Sequence, residues 1–292
     1  MLSKIKAIKY LCVILAALFI SQVVYAQTDQ KIAMLTNKGS SDSARKAAIK
    51  MIVKDKVKEA IPALRKVVKN RKESVELRLA SVSGLASFGD YSCLYYADET
   101  IKNVMESDKA RINAVNTLVE IGTPEAKEVL VDNLVLPDVS GNVVEKLVLG
   151  LGKLSTKDDV AYFIPVLTHK TDKVRSAALS FIEKNADDYF LPIYALLLSD
   201  LSYPIKIRAL AGIDKLGDYN VVPTLIMRVI DEEDPKMKDA IAAVLAKKEY
   251  KSVKKVFIVE LEKYIEMNKG ANIVSKLKPI LARLKKECLG IK

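Results

Sequence analysis

The chain of 292 residues has a formal net charge of +11, a single histidine and no tryptophan. One histidine cannot supply the paired histidine ligands that many catalytic metal centres use. The sequence also lacks the nucleophile elbow, the phosphate-binding loop and the His-Glu-x-x-His, Cys-x-x-Cys and Gly-x-Gly-x-x-Gly motifs, so it indicates no enzyme class built on them.

The N-terminal segment, residues 1–26, has the features of a secretory signal peptide. Lys4, Lys6 and Lys9 precede an uncharged apolar run from Tyr10 to Ile20, and Val24-Tyr25-Ala26 is a typical cleavage site. The apolar run is shorter than the ~20 residues of a transmembrane helix. We therefore predict a mature chain without a transmembrane span, located in the periplasm or secreted. The alternative is an uncleaved N-terminal anchor.

Seven segments repeat one helical pattern, with a period that varies only between 31 and 33 in the residue numbering. Residues three, four and seven positions after a common marker position are small or apolar, and these offsets share one face of an α-helix. The pattern therefore predicts seven amphipathic helices. The marker positions are Arg45, Arg78, Arg111, Val144, Arg175, Lys206 and Lys238.

A further helix is predicted ahead of each marker helix. It is indicated by a proline within an apolar run, as in Ile61-Pro62, Ile164-Pro165 and Leu191-Pro192. Proline is tolerated in the first turn of a helix, where the N–H groups have no intrahelical partner. Three aspartates lie three residues before a marker arginine, and we predict that they are the N-caps of their helices. They are Asp42, Asp108 and Asp172.

A single helix pair cannot bury its apolar face, whereas stacked pairs share a continuous core. We therefore predict an all-α fold, an α-solenoid of about seven stacked helix pairs over residues 27–250. Residues 251–292 fit the repeat poorly. They predict a C-terminal cap of two amphipathic helices, Ser252–Met267 and Asn272–Cys288, separated at Gly270.

The motif Asp-x-x-Arg-x-x-Ala-apolar-x-x-(Leu/Ile) occurs here from Asp108 to Leu118 and from Asp172 to Ile182. It resembles HEAT-like repeats in the short form of phycobilisome-lyase-type proteins, and the resemblance covers residues 42–250. It departs from that pattern at Val144 and Lys238, where the marker arginine is lost. The resemblance implies a solenoid. Because the family includes scaffolds, lyases and nucleic-acid enzymes, it leaves the function open.

Two cysteines remain after the predicted signal peptide, Cys93 and Cys288. About five repeats separate them, which places them roughly 40–50 Å apart if packed helix layers are ~8–10 Å apart. A disulfide requires Cα atoms within ~7 Å. We predict two free thiols, with a bridge between two chains through Cys288 as the alternative.

Charge is distributed unevenly along the predicted mature chain. Residues 27–82 carry 14 basic and 6 acidic residues, 83–246 carry 17 and 25, and 247–292 carry 13 and 5. This order favours self-association or an anionic partner at either end. The simpler interpretation is that lysine-rich ends keep the terminal repeats soluble.

The best functional indication is a lysine nine residues after the marker in five of the seven repeats. Residues two and five positions after the marker are often small, so the exposed helix faces predict a shallow groove edged by lysines. Such a groove suits an acidic peptide or another polyanion. Lysines near a helix C-terminus also complement the helix dipole and cover apolar surface, which requires no ligand. The candidates are Lys54, Lys153, Lys184, Lys215 and Lys247.

Other polar clusters have simpler structural explanations. His169 has no nearby cysteine or carboxylate pair, so it predicts no metal site. The acidic run from Asp231 to Asp234 lacks the glycine and the ligand spacing of a calcium loop. Tyr91, Tyr95 and Tyr96 have helical spacing that favours packing over a ligand patch. We predict no catalytic residue, no metal and no cofactor.

Two functions remain. The first is an exported, non-enzymatic scaffold that binds a protein or peptide partner on the concave face of the solenoid. The second is a polyanion- or nucleic-acid-binding module, or a lyase-type enzyme, on the same fold. Basic residues concentrated at the ends and the lack of tryptophan disfavour nucleic acid.

Overall fold

The structure is a computed structural model that describes residues 25–185, 190–216, 221–245 and 258–289, except 260, 264, 268 and 271. Helices and turns make up this part of the chain, and no β-strand occurs in it. The chain divides into two compact units, of which unit 1 ends at Ser155 and unit 2 begins at Thr156.

Unit 1 is built from helix pairs. The second helices of the pairs pack on one another in sequence, α4 against α2 and α6, and α8 against α6. The first helices α3 and α5 pack against the second helix of their own pair, and α7 contacts both α6 and α8. The bounds are 25–36 (α1), Asp42–Lys54 (α2), Ile61–Lys69 (α3), Val75–Ala86 (α4), Tyr95–Lys102 (α5), Asp108–Ile121 (α6), Pro124–Asp132 (α7) and Gly141–Leu154 (α8).

Unit 2 continues the same pairing. Two short 3₁₀ helices, Lys157–Tyr162 and Pro165–Thr168, take the place of the first helix before α9. α10 packs on α11, α12 packs on α13, and α11 contacts α9 and α13. The bounds are Asp172–Asn185 (α9), Leu191–Leu197 (α10), Tyr203–Leu216 (α11), Val222–Asp231 (α12), Pro235–Leu245 (α13) and Asn272–Leu289 (α14).

The predicted all-α fold of stacked helix pairs is confirmed within each unit. The seven marker helices are α2, α4, α6, α8, α9, α11 and α13. In α2 the residues three, four and seven positions after the marker are Ala48, Ile49 and Ile52, and they are at most 4% exposed. Burial of this face drives the stacking, because apolar area removed from water contributes ~25 cal/mol per Å².

The predicted boundaries at residues 26 and 250 stay predictions. Residues 1–24 and 246–257 lie outside the described residues. The second predicted capping helix corresponds to α14, which contacts α12 and buries Val274 and Leu277. No helix in the described part of the chain is long and apolar enough to cross a membrane.

The predicted N-caps are wrong by one residue. In α2, α4, α6 and α8 the caps are serines, whose hydroxyl oxygen accepts a hydrogen bond from a backbone N–H three residues later. A capping residue needs an extended backbone, which Ser41 has, whereas Asp42, Asp108 and Asp172 are the first residues inside their helices. The observed caps are Ser41, Ser74, Ser107 and Ser140.

Two of these aspartates connect neighbouring repeats. The Ser74 hydroxyl donates to the Asp42 carboxylate, and the Ser140 hydroxyl donates to Asp108 at 2.7 Å. Each bond spans 32 residues of sequence, about one repeat. The serine therefore caps its own helix and also fixes its register against the preceding one.

Candidate functional site

The marker arginines in unit 1 occupy equivalent environments. Each guanidinium Nε donates to a backbone carbonyl ten residues earlier, in the preceding first helix. That carbonyl is among the last of its helix, where carbonyls have no intrahelical partner. The arginine therefore completes the helix end. The pairs are Arg45–Leu35, Arg78–Val68 and Arg111–Ile101, each at 2.7 Å.

Several markers also bind a carboxylate in the turn before the next marker helix. Arg45 pairs with Glu73, and Arg175 bonds both oxygens of Asp200 at 2.7 Å. The hydrogen bond from Arg45 holds the pKa of Glu73 below its usual value. Burial alone raises the pKa of Asp200, but bonds from Arg175 and from the Ser202 N–H lower it overall. These marker arginines therefore stabilise the packing of each helix pair on the next one.

Acidification is expected to destabilise the fold through these carboxylates. Their folded pKa values are lowered, so the unfolded chain binds protons first as the pH falls. Their contribution is complete above the unfolded pKa, about 4, and is lost as the pH falls through the folded value. We expect the thermal midpoint to fall steadily below about pH 4.5.

The measurement is a series of thermal melts followed by circular dichroism. Asp200→Asn removes one such group, so its melting temperature is expected to depend less on pH in this range. Asp132→Asn is the matched control, because Asp132 is exposed at the end of α7. Parallel pH curves for wild type and Asp200→Asn would contradict the prediction.

An open groove of about 550 Å³ lies across α2, α4 and α6 of unit 1. We call it the α2–α4–α6 groove. The middle helix α4 lines it with small residues, and the nearly buried Ile49 and Leu79 complete its floor. Small side chains on the middle helix, between longer ones on its neighbours, leave a trough along α4. The small lining residues are Ala80, Ser83, Gly84 and Ser87.

The two walls of the groove differ in charge. The α2 wall carries Lys46, Lys50 and Lys54, while the α6 wall carries two asparagines and Glu120. None of these three lysines forms an ion pair with a described residue, and neither does Glu120. Glu76 adds a second carboxylate at the start of α4. Both walls therefore present charges that the described part of the chain leaves unpaired.

The corresponding helix faces in unit 2 are bonded to each other. Arg208 on α11 binds both carboxylate oxygens of Glu183 on α9, at 2.6 and 2.9 Å. Its remaining N–H groups donate to the hydroxyls of Ser176 and Ser180 at 2.6 and 2.8 Å. These four side chains already satisfy one another, so a ligand that bonds them would have to replace existing bonds.

The five predicted lysines are not all brought together by the described structure. Lys54 lines the groove, and Ser87 and Glu120 occupy its equivalent positions in the next two repeats. Lys153, Lys184 and Lys215 are exposed on their helices but are not part of the groove lining. Lys247 lies outside the described residues. A ligand-binding role for the five stays a prediction.

Sequence reasoning missed the residues that give the groove its walls. Lys50 and Lys46 occur one and two helical turns before Lys54, a spacing visible in the sequence. Asn113 and Asn116 line the opposite wall. These lysines and asparagines are each specific to a single helix, so a residue type that recurs at one position of every repeat does not reveal them.

His169 has a structural role in the turn before α9. Its Nδ1 accepts a hydrogen bond from the Thr171 N–H at 3.0 Å, and its carbonyl accepts one from Arg175. Burial lowers the pKa of this imidazole, which favours the neutral form. In the described ranges, no three potential metal-binding side chains cluster.

Cys93 is a free, buried thiol. Burial raises its pKa to about 11, so the reactive thiolate is scarce at neutral pH. The side chain of Cys288 lies outside the described residues.

In the tyrosine cluster, Tyr96 is buried, and the guanidinium carbon of Arg78 lies 3.5 Å from the centroid of the Tyr96 ring. Tyr95 is 44% exposed.

The sequence matches no protein-family model, and no curated protein matches it. Among solved structures, it is similar to the complex of CpcE and CpcF of phycocyanin lyase from Nostoc sp. PCC7120, with 15% identity and a TM-score of 0.36, covering 88% of this chain and 94% of that chain. Human deoxyhypusine hydroxylase in complex with glycerol has 16% identity and a TM-score of 0.36, with 91% and 98% covered. YibA of E. coli has 14% identity and a TM-score of 0.44, with 91% and 96% covered.

Similarity at this level carries nothing about the activity of this chain. Its own stacked helix pairs and equivalent marker arginines define it as a helical repeat protein of the HEAT-like fold.

Proposed function

We propose that the chain is an exported, non-enzymatic scaffold that binds a protein or peptide partner in the α2–α4–α6 groove. The observation that carries this proposal is the open groove, whose charged walls form no ion pair with the residues that the structure describes. Export is supported by the basic, apolar and small-residue segments within residues 1–26.

The energetics of the groove favour it over the corresponding face of unit 2. A partner that bonds Lys50 or Glu120 replaces only water, because neither side chain has an ion-pair partner among the described residues. On unit 2, a partner would first have to separate Arg208 from Glu183. The small side chains of α4 also let a partner backbone approach the helix closely.

The test is site-directed photo-crosslinking in the native host. A photoreactive residue at Ser83, on the groove floor, is expected to give a discrete crosslinked product in the exported fraction. The control carries the same residue at Lys66, which is exposed on the first helix α3. Adding Ala80→Trp fills the groove and is expected to abolish the Ser83 product.

Identical products from both positions would contradict the proposal, as would a Ser83 product that is insensitive to Ala80→Trp. A product found only in the cytosolic fraction would overturn the export part alone. Circular dichroism of each variant verifies that the helix content is unchanged.

A further inference from the structure

We infer that the groove selects an extended peptide with acidic side chains at alternate positions, oriented with its acidic edge toward α2. This inference rests on the proposed function and specifies its partner. Three observations carry it: the spacing of the lysines on α2, the size of the groove and the different chemistry of the α6 wall.

The lysine spacing matches an extended chain. Lys46, Lys50 and Lys54 are four residues apart, and an α-helix rises 1.5 Å per residue, so successive lysines are ~6 Å apart along the wall. In an extended peptide, alternate side chains lie on one edge at intervals of ~6.6 Å. Three alternate carboxylates therefore span ~13 Å against ~12 Å for the three lysines, a difference that flexible lysine side chains absorb.

The size and shape of the groove favour an extended partner. The 12 residues of α4 give a trough ~18 Å long, which exceeds the ~13 Å that three alternate side chains span. Small side chains line the floor along α4, between the lysines of α2 and the asparagines of α6. The backbone of an extended segment can therefore lie against α4, whereas a helix, ~10–12 Å across with its side chains, keeps its axis at least ~5 Å from that floor.

The α6 wall determines the composition of the other edge. Asn113 and Asn116 each offer an amide donor and an acceptor, which complement peptide N–H and C=O groups. Glu120 repels a carboxylate and attracts a cation. Because alternate residues of an extended chain point to opposite edges, one segment presents acidic side chains to α2 and uncharged or basic ones to α6. A continuous acidic tract places carboxylates against Glu120.

The experiment measures binding of two labelled peptides to the full-length chain by fluorescence anisotropy. Both contain three aspartates and three glutamines, alternating in one peptide and in two blocks in the other. The alternating peptide is expected to bind roughly fivefold more tightly, because only its carboxylates all face α2. Its affinity is expected to fall as salt is raised, since exposed charges are screened.

Two triple variants with equal charge change locate the site. Lys46→Gln, Lys50→Gln and Lys54→Gln together are expected to weaken binding about tenfold, as the loss of three exposed ion pairs predicts. Lys58→Gln, Lys66→Gln and Lys69→Gln together serve as the matched control, because these three lysines are exposed and do not line the groove. They are expected to leave the affinity within about twofold.

Equal affinity for the two peptides, or equal losses in the two variants, overturns the inference and indicates unspecific attraction of anions. If Ser83 crosslinking persists while the alternating peptide fails to bind, the groove has a partner of different chemistry, and the inference is overturned while the proposed function stands. If both fail, the proposed function is overturned as well.

Discussion

Replacement of Arg175 with alanine is expected to lower the free energy of unfolding by about 3–5 kcal/mol. Arg175 and Asp200 are 10% and 4% exposed, and two bonds of 2.7 Å join them. Removing the cation leaves a buried carboxylate without its partner and two turn carbonyls, of His169 and Lys170, without their donor. The measurement is urea unfolding monitored by circular dichroism.

Arg208→Ala is the matched control in the same unit. Arg208 also binds a carboxylate with two bonds, but the pair is 28% and 34% exposed. We expect a loss of no more than about 1 kcal/mol, because water solvates the Glu183 carboxylate once the arginine is removed. Similar losses in the two variants would show that burial of the Arg175 pair does not determine its contribution.

Gly212→Ala is expected to lower the free energy of unfolding of unit 2 by about 2 kcal/mol. Overpacking costs ~3 kcal/mol, and the higher helix propensity of alanine offsets ~1 kcal/mol of that cost. An added Cβ would lie 2.5 Å from two ring carbons of Tyr194. That ring is 1% exposed, so it has no room to move away. The same urea titration measures the loss.

Gly84 provides the control, since it occupies the equivalent position in α4. There an added Cβ lies 3.1 Å from the Ile49 Cγ2 methyl and 3.6 Å from both Leu64 Cδ methyls, which is much less crowded than at Gly212. Gly84→Ala is therefore expected to stay within about 1 kcal/mol of wild type. Combining Gly212→Ala with Tyr194→Leu tests the mechanism. If the clash causes the loss, the double variant loses less than the sum of the single changes.

The repeat fold was predictable because the buried face of each marker helix consists of small or apolar residues at the same three positions after the marker. Ala48, Ile49 and Ile52 show the rule, and the other marker helices repeat it with little variation. The N-caps were predicted one residue late, because aspartate is favoured both at the cap and in the first helical turn. The serines before α2 and α6 were visible in the sequence, but composition alone does not separate the two positions.

The groove was predictable only in outline. The sequence indicated small residues and lysines on exposed helix faces, and α4 indeed provides the small lining. It did not show that Arg208 bonds across the equivalent face of unit 2, because that bond joins residues 25 positions apart. Pairing between neighbouring helices depends on side-chain reach and rotamer, which periodicity does not encode.

The ten-residue span from marker arginine to carbonyl limits how the chain can change length. It is constant in the first three repeats, whose marker arginines Arg45, Arg78 and Arg111 are evenly spaced. The interval before Arg175 is shorter by two positions, and there the first helix becomes 3₁₀ and Arg175 bonds a carbonyl only six residues away. A small insertion or deletion within this span therefore breaks the hydrogen bond between the guanidinium and its carbonyl, whereas duplication of a whole repeat preserves every such bond. Homologues of this protein are expected to differ in length by whole repeats.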